Sequence, residues 1–204
     1  MRRTRILVLI VVVALAIPLA NAADKKNSIG VFVNYLWPTG DYSASDGDVT
    51  VTLEPDSAMG YGLGYRHMFN PKWDFGASLF FAEHDVNGTV SGVGSAKIGT
   101  VSWMPILLDA NWHFGKKGLF YVGPTIGYAM WDSIDLVEGF GSISTKDSFI
   151  YGLNFGLDVP FGKGWAFNAN ARYLQVGVET DEGAGDFTVD VNPWLVGVGI
   201  SYKF

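Results

Sequence analysis

The chain has 204 residues, enough for one domain, with 49% hydrophobic and 15% aromatic residues, no cysteine and a formal net charge of −6. Without cysteines, burial or lipid has to hold the fold together in place of disulfides. The acidic balance excludes a nucleic-acid partner, because phosphate binding needs clustered Lys and Arg.

The first residues have the make-up of an export signal. Arg2, Arg3 and Arg5 precede an unbroken apolar run over residues 6–17, and Pro18 ends it. Ala20-Asn21-Ala22 then fits the small-x-small rule for cleavage before Ala23. The run is too short for a spanning helix, which needs about 20 apolar residues. Residues 1–22 are therefore read as a signal peptide and residues 23–204 as one exported domain. Three of the 14 Lys and Arg residues leave with the leader, which takes the mature charge from −6 to about −9.

Beyond residue 22 the chain is rich in apolar residues, yet nothing resembles a transmembrane helix. The apolar residues alternate instead with small or polar ones, as in a strand whose successive side chains face opposite ways. Strands are predicted near 28–37, 58–69, 73–84, 100–114, 119–132, 147–159, 165–178 and 193–204. Met59, Tyr61, Leu63 and Tyr65 share one face of the second, opposite Gly60, Gly62, Gly64 and Arg66. Pro105 lies inside the fourth, where it removes a ladder donor and suggests a bulge. That leaves the parity of Trp103 open, while Trp131 falls on the inner face.

Connections alternate in length. Residues 70–72, 115–118 and 160–164 are tight turns, whereas 38–57, 85–99, 133–146 and 179–192 are long. Short periplasmic turns and long external loops are the pattern of a bacterial outer-membrane barrel, and an even strand number puts both termini in the periplasm. Lys72, Lys116, Lys117 and Lys163 fall in the turns. Asp41, Asp46, Asp48, Glu54 and Asp56 fall in the first loop, and Glu179, Asp181, Glu182, Asp186 and Asp190 in the last. Trp73, Trp112, Phe114, Trp165 and Phe204 are expected in a periplasmic aromatic girdle, with Trp37, Phe81, Tyr173 and Trp103 in an outer one. The expected fold is all-β, an eight-stranded antiparallel transmembrane up-and-down β-barrel in the outer membrane of a Gram-negative cell.

A soluble eight-stranded calyx also alternates, but it places polar residues outside and apolar residues inside. Here the large apolar residues occupy one face, and Arg66, Asp74, Asp109, His113, Asp158, Asn168, Asn170 and Arg172 share the other. Charges are cheaper in a lumen than against lipid. The register therefore puts Arg66, Ser78, Asp109, His113, Asp158, Asn170 and Arg172 inside, with Arg172 expected to pair with Asp158 and plug the barrel.

The chain ends on Phe204, with Tyr202 and Ile200 at alternate positions before it. This ending resembles the signal read by the barrel assembly machinery. Lys97-Ile98-Gly99-Thr100, Pro105-Ile106-Leu107-Leu108-Asp109-Ala110-Asn111-Trp112-His113-Phe114 and Phe120-Tyr121-Val122-Gly123-Pro124-Thr125-Ile126-Gly127-Tyr128 follow in order. Asp147-Ser148-Phe149, Asn192-Pro193-Trp194 and Gly199-Ile200-Ser201-Tyr202-Lys203-Phe204 complete the set. Together they resemble the OmpW family of small outer-membrane barrels over residues 58–204. The resemblance implies eight strands and passage of small hydrophobic molecules across the outer membrane, through a lumen that is narrow and apolar at its constriction. By the register above, the inward positions nearest that constriction are the polar Ser78 and Arg172, with Leu174, Val176 and Leu195 lining an apolar upper pocket.

Two other functional classes fit a small exported barrel. A lipid-modifying enzyme needs a nucleophile and an oriented base within hydrogen-bond reach. His84-Asp85 is the sole adjacent His-acid pair, Ser91 and Ser95 lie nearby, and no G-x-S-x-G elbow occurs. His67 falls on the lipid side and His113 in the lumen, so no catalytic residue is assigned. Asp46-Gly47-Asp48 is too short for a calcium loop and reads as solvated charge, leaving no metal or cofactor site. A closed structural or adhesion barrel acting through its acidic loops is the other alternative. The expected partners are outer-membrane lipid and lipopolysaccharide, the assembly machinery, and small hydrophobic solutes.

Overall fold

The computed structural model describes residues 26–46, 49–116, 119–137, 142–180 and 188–204. The leader, with Ala20 and Ala22, lies outside them, as do Asp48, Lys117, Asp181, Glu182 and Asp186.

Among the described residues, the alternating segments form eight long antiparallel strands. These are β1 (Asn27–Trp37), β2 (Ala58–Asn70), β3 (Trp73–Val90), β4 (Gly94–Phe114), β5 (Phe120–Trp131), β6 (Ser148–Pro160), β7 (Trp165–Gln175) and β8 (Trp194–Lys203). Each is hydrogen-bonded to its neighbours in the chain. The last strand returns to the first, pairing from Ser28 opposite Lys203 to Trp37 opposite Trp194. Beyond that seam, the Asn27 N–H donates to the Phe204 carbonyl and the Phe204 N–H to the Asn27 carbonyl. The ring has no free edge, which is the condition for a sheet to cross hydrocarbon, where no water can satisfy an unpaired backbone group.

The two faces differ as a membrane requires. Met59 and Tyr61 on the outside are each 63% exposed, whereas Asn154 and Arg172 on the inside are 0% and 5% exposed. A soluble calyx would invert this pattern. The inner face is mostly small because the barrel is narrow. A Cβ on Gly123 would overlap the Ala110 carbonyl of β4, and one on Gly152 the Tyr173 carbonyl of β7. Trp73, Trp112, Phe114 and Trp165 are exposed at the periplasmic end, and Trp37 and Trp194 at the outer end. Two expected girdle residues are elsewhere. Phe204 is buried at the closing seam, and Trp103 is 2% exposed, stacked inside the barrel on Trp131 with ring centroids 5.0 Å apart.

The expected long loop at 85–99 is instead a continuation of the wall. Strands β3 and β4 run on to Val90 and Gly94, joined by a turn in which Gly92 has a φ of 78°. The ladder continues because its backbone bonds do not depend on lipid, and above the membrane outward polar residues such as Asp85 and Asn87 face water. Part of the first loop joins it: Tyr42–Asp46 pairs with Val49–Pro55, whose residues Val51 to Pro55 lie opposite Val90 to Val86.

Pro105 does not produce the expected bulge. Leu79 pairs with Ile106 and Ala82 with Trp103, so the register is the same on both sides of it. The shift lies farther out, where Val86 faces Gly99 but Asn87 faces Lys97. At Pro105 the ladder skips Phe80 and Phe81.

If the outer face meets lipid, Leu153→Arg at mid-strand should cost about 2–4 kcal/mol. The same residue at Val93, 85% exposed in the outer turn, should change stability by less than about 0.5 kcal/mol. Denaturant unfolding in lipid vesicles measures both, and equal losses would contradict the assignment of faces.

Candidate functional site

Two layers fill the lumen. The lower layer, towards the periplasm, is a network of charges and amides. The Arg172 Nη2 donates to Asp109 Oδ2 at 2.9 Å and its Nη1 to Asn170 Oδ1 at 3.2 Å. The Thr125 hydroxyl donates to the other Asp109 oxygen. Arg66 pairs with Asp158 and lies 3.5 Å from Asp74, with its guanidinium 4.3 Å from the centre of the Tyr121 ring. Asp74 also accepts from Asn111 and contacts the His113 ring, and Asn154 donates to Asn111. Asn168 donates to Asp158. Buried Arg172 and half-buried Arg66 thus each have a carboxylate and further polar contacts, the arrangement that offsets the large cost of desolvating a charge.

The register places Arg66, Ser78, Asp109, His113, Asp158, Asn170 and Arg172 in the lumen, and the structure shows how they divide. Arg172 lies beneath Phe80, whose ring centre is 5.3 Å from its guanidinium. Its carboxylate is Asp109 on β4, not the expected Asp158. Asp158 is taken by Arg66 from β2. Neighbouring-strand reasoning cannot find such pairs, because in a narrow barrel a long side chain reaches across the lumen. Ser78 is buried without a hydrogen-bond partner, beside a small gap of about 30 Å³ that Arg172 and Asp109 also line. Asn34, Asn111, Thr125 and Tyr121 belong to this layer and were missed. Asn111 shares the parity of Asp109 and His113, which is the signal that would have found it. At the C-terminus Ile200 and Tyr202 face outward, while Phe204 is buried.

The upper layer is apolar. Leu36, Leu107, Ile150, Leu174 and Leu195 are each 0% exposed. Above them the Trp103 and Trp131 stack and Val86, Val101, Val176, Val178 and Val191 continue the same cluster. It opens into a cavity of about 60 Å³ between the strand ends and the outer connections, with walls that include Leu53, Val101, Trp131, Ile134 and Val191. His84 is the sole ionisable residue of its lining, and its Nδ1 donates to the Asp56 carbonyl at 2.7 Å. Asp85, its neighbour in sequence, points outward to Lys97 at 2.7 Å. The pair that could have suggested acid-base chemistry therefore diverges.

A closed eight-stranded ring with a polar lumen floor and an apolar outer chamber can be set beside known proteins. The model of the OmpW family matches residues 38–204. The chain belongs to the OmpW family. It is 23% identical over 167 residues to outer membrane protein W of Vibrio cholerae, covering 76% of each chain. An uncharacterized outer-membrane protein of Sinorhizobium fredii is 25% identical over 162 residues, 71% of this chain and 70% of that one. The crystal structure of OprG from Pseudomonas aeruginosa superposes with a TM-score of 0.71, covering 88% of this chain and 96% of that one at 23% identity. The solid-state NMR structure of AlkL in DMPC bilayers superposes with a TM-score of 0.55 at 18% identity, covering 90% and 93% of the two chains. This OmpW-family protein is thus an outer-membrane β-barrel of a Gram-negative cell.

Removing one partner of the central ion pair should be costly. Asp109→Ala leaves Arg172 charged and unpaired in the lumen and should destabilise the barrel by about 3–5 kcal/mol. Asp109→Leu combined with Arg172→Met should recover most of that loss, because no charge is then left buried. Urea unfolding in lipid vesicles compares the three proteins.

Proposed function

We propose that this barrel admits small hydrophobic molecules at its outer end and releases them sideways into the outer membrane. The observation that carries the reading is the division of the lumen into an apolar chamber above and a hydrogen-bonded floor below. An apolar solute gains by leaving water for the chamber. It would have to break the Arg172 and Asp109 pair to continue along the axis, so a route through the wall is the easier one.

Two places in the wall lack ladder pairs beside a proline. At Pro124 of β5 the ladder skips Ala110 and Asn111 next to the polar floor, whereas Pro105 of β4 lies at a seam with β3 beside the apolar chamber and suits this route. The His113 N–H donates to the Lys72 carbonyl, while the Ser102 carbonyl accepts from Asp132. Odd-numbered residues in this part of β4 therefore aim their backbone polar groups at β3. Pro105 is one of them, and with no N–H it cannot donate across the seam. There the ladder skips Phe80 and Phe81, and the flanking Leu79, Ile106, Ala82 and Trp103 are apolar. A passing solute would part few hydrogen bonds and expose no charge. AlkL and OprG support the reading only as members of the same fold; the chemistry comes from the residues here.

The test compares uptake of a labelled medium-chain alkane by cells with the wild-type protein, Pro105→Ala, Arg172→Leu or no barrel, at matched surface levels. The wild type should speed uptake, Pro105→Ala should lower it by restoring a ladder donor, and Arg172→Leu should leave it unchanged. Faster uptake in Arg172→Leu would move the route to the barrel axis. No gain over cells without the barrel would favour a closed barrel acting through its external loops.

A further inference from the structure

The apolar chamber contains two hydrogen-bond donors with nothing to bond. Trp103 and Trp131 lie directly opposite each other on β4 and β5, 2% and 8% exposed, and the Nε1 of each is buried without a partner. Buried indole N–H groups are usually satisfied. The other unpartnered buried side-chain atoms belong to the polar floor, on Asn34, Ser78, Tyr121, Asn154, Asn168 and Arg172. The cluster that holds the two tryptophans is otherwise aliphatic apart from Phe80, with His84 beside Trp103.

Trp131 lines the cavity, as does His84, and Trp103 packs between them, 5.0 Å from one ring and 6.2 Å from the other. Neutral His84 cannot satisfy a guest's acceptor, because its one ring proton is already given to the Asp56 carbonyl. The walls also offer no fixed charge to balance an ionised guest. A neutral molecule with an apolar body and one acceptor oxygen meets these conditions.

We infer that the chamber prefers small neutral oxygenated hydrophobes, such as medium-chain ketones, aldehydes or esters, over plain hydrocarbons, with the indole N–H of Trp131, which lines the cavity, recognising the carbonyl oxygen and Trp103 stacked behind it. This rests on the hydrophobic-conduit reading and narrows it to a substrate class. The apolar chain supplies the attraction common to all solutes, and the oxygen supplies the discrimination. A site that leaves its donor unpaired with the wrong guest separates two ligands better than an apolar pocket does.

The direct test is a titration of 15N-tryptophan-labelled protein in lipid nanodiscs with 2-octanone and, separately, octane. Of the two indole signals that disappear in Trp103→Phe and Trp131→Phe, that of Trp131 should shift with the ketone and not with the alkane. The ketone should saturate at about tenfold lower concentration in the membrane, the worth of one hydrogen bond. The double Phe variant, which keeps both rings, should lose that preference and still respond to octane. If both solutes perturb the chamber equally in the wild type, this inference fails and the conduit reading stands. If neither does, and neither enters cells faster than in the absence of the barrel, both fail. The wild-type titration decides the matter even if a variant folds poorly.

Discussion

Closure of the backbone ladder in a solvent without hydrogen-bonding power is the constraint on which the rest of this structure depends. Each of the eight long strands between Asn27 and Lys203 has two partners, and the ring is completed where Asn27 meets Phe204. Hydrocarbon supplies no substitute for a missing bond, which makes the sheet choose a closed form and a fixed register. Once the register is fixed, each residue is assigned to lipid or lumen with no freedom left, because a slip of one position would move every side chain to the other face. The arginines are forced inward by the same rule that sends Val31, Leu153 and Val198 outward.

A narrow closed ring then dictates what its interior can hold. Backbones approach so closely that Gly123 and Gly152 leave no room for a side chain. The remaining space must be filled by groups that satisfy one another. The lower lumen does this largely with carboxylates held between arginines, amides and hydroxyls. The upper lumen does it with aliphatic side chains and a tryptophan stack. The boundary lies near Phe80, which packs against the apolar cluster and also over the Arg172 guanidinium. The boundary separates an apolar chamber from a hydrogen-bonded floor, and the proposed route for apolar solutes rests on it.

Local exceptions matter in such a wall because the rest is so regular. Pro105 keeps the register yet interrupts bonding to β3, which a bulge would not do. The skipped positions at Pro105 sit beside the apolar chamber, whereas those at Pro124 sit beside the polar floor. The extension of β3 and β4 to Val90 and Gly94 carries the rigid sheet above the membrane and gives the chamber part of its upper wall.

The sequence by itself determined the eight barrel strands, the tight turns at one end and the face of most strand residues, because these follow from a period of two and from local turn residues. It also separated the polar and apolar inward residues, so the candidate lumen was legible as a set. Its internal wiring was not. Arg172 meets Asp109 and Arg66 meets Asp158 across the lumen, at sequence separations of 63 and 92 residues. Trp103 reads as a girdle residue when Pro105 is taken for a bulge, and only the preserved register turns it inward. The hairpin at 85–99 was hidden for a related reason: polar residues outside the membrane look like loop, although the ladder beneath them continues. Pairing across a closed barrel depends on its circumference and on how strands are staggered around it, and those quantities belong to the ring and not to any segment of the chain.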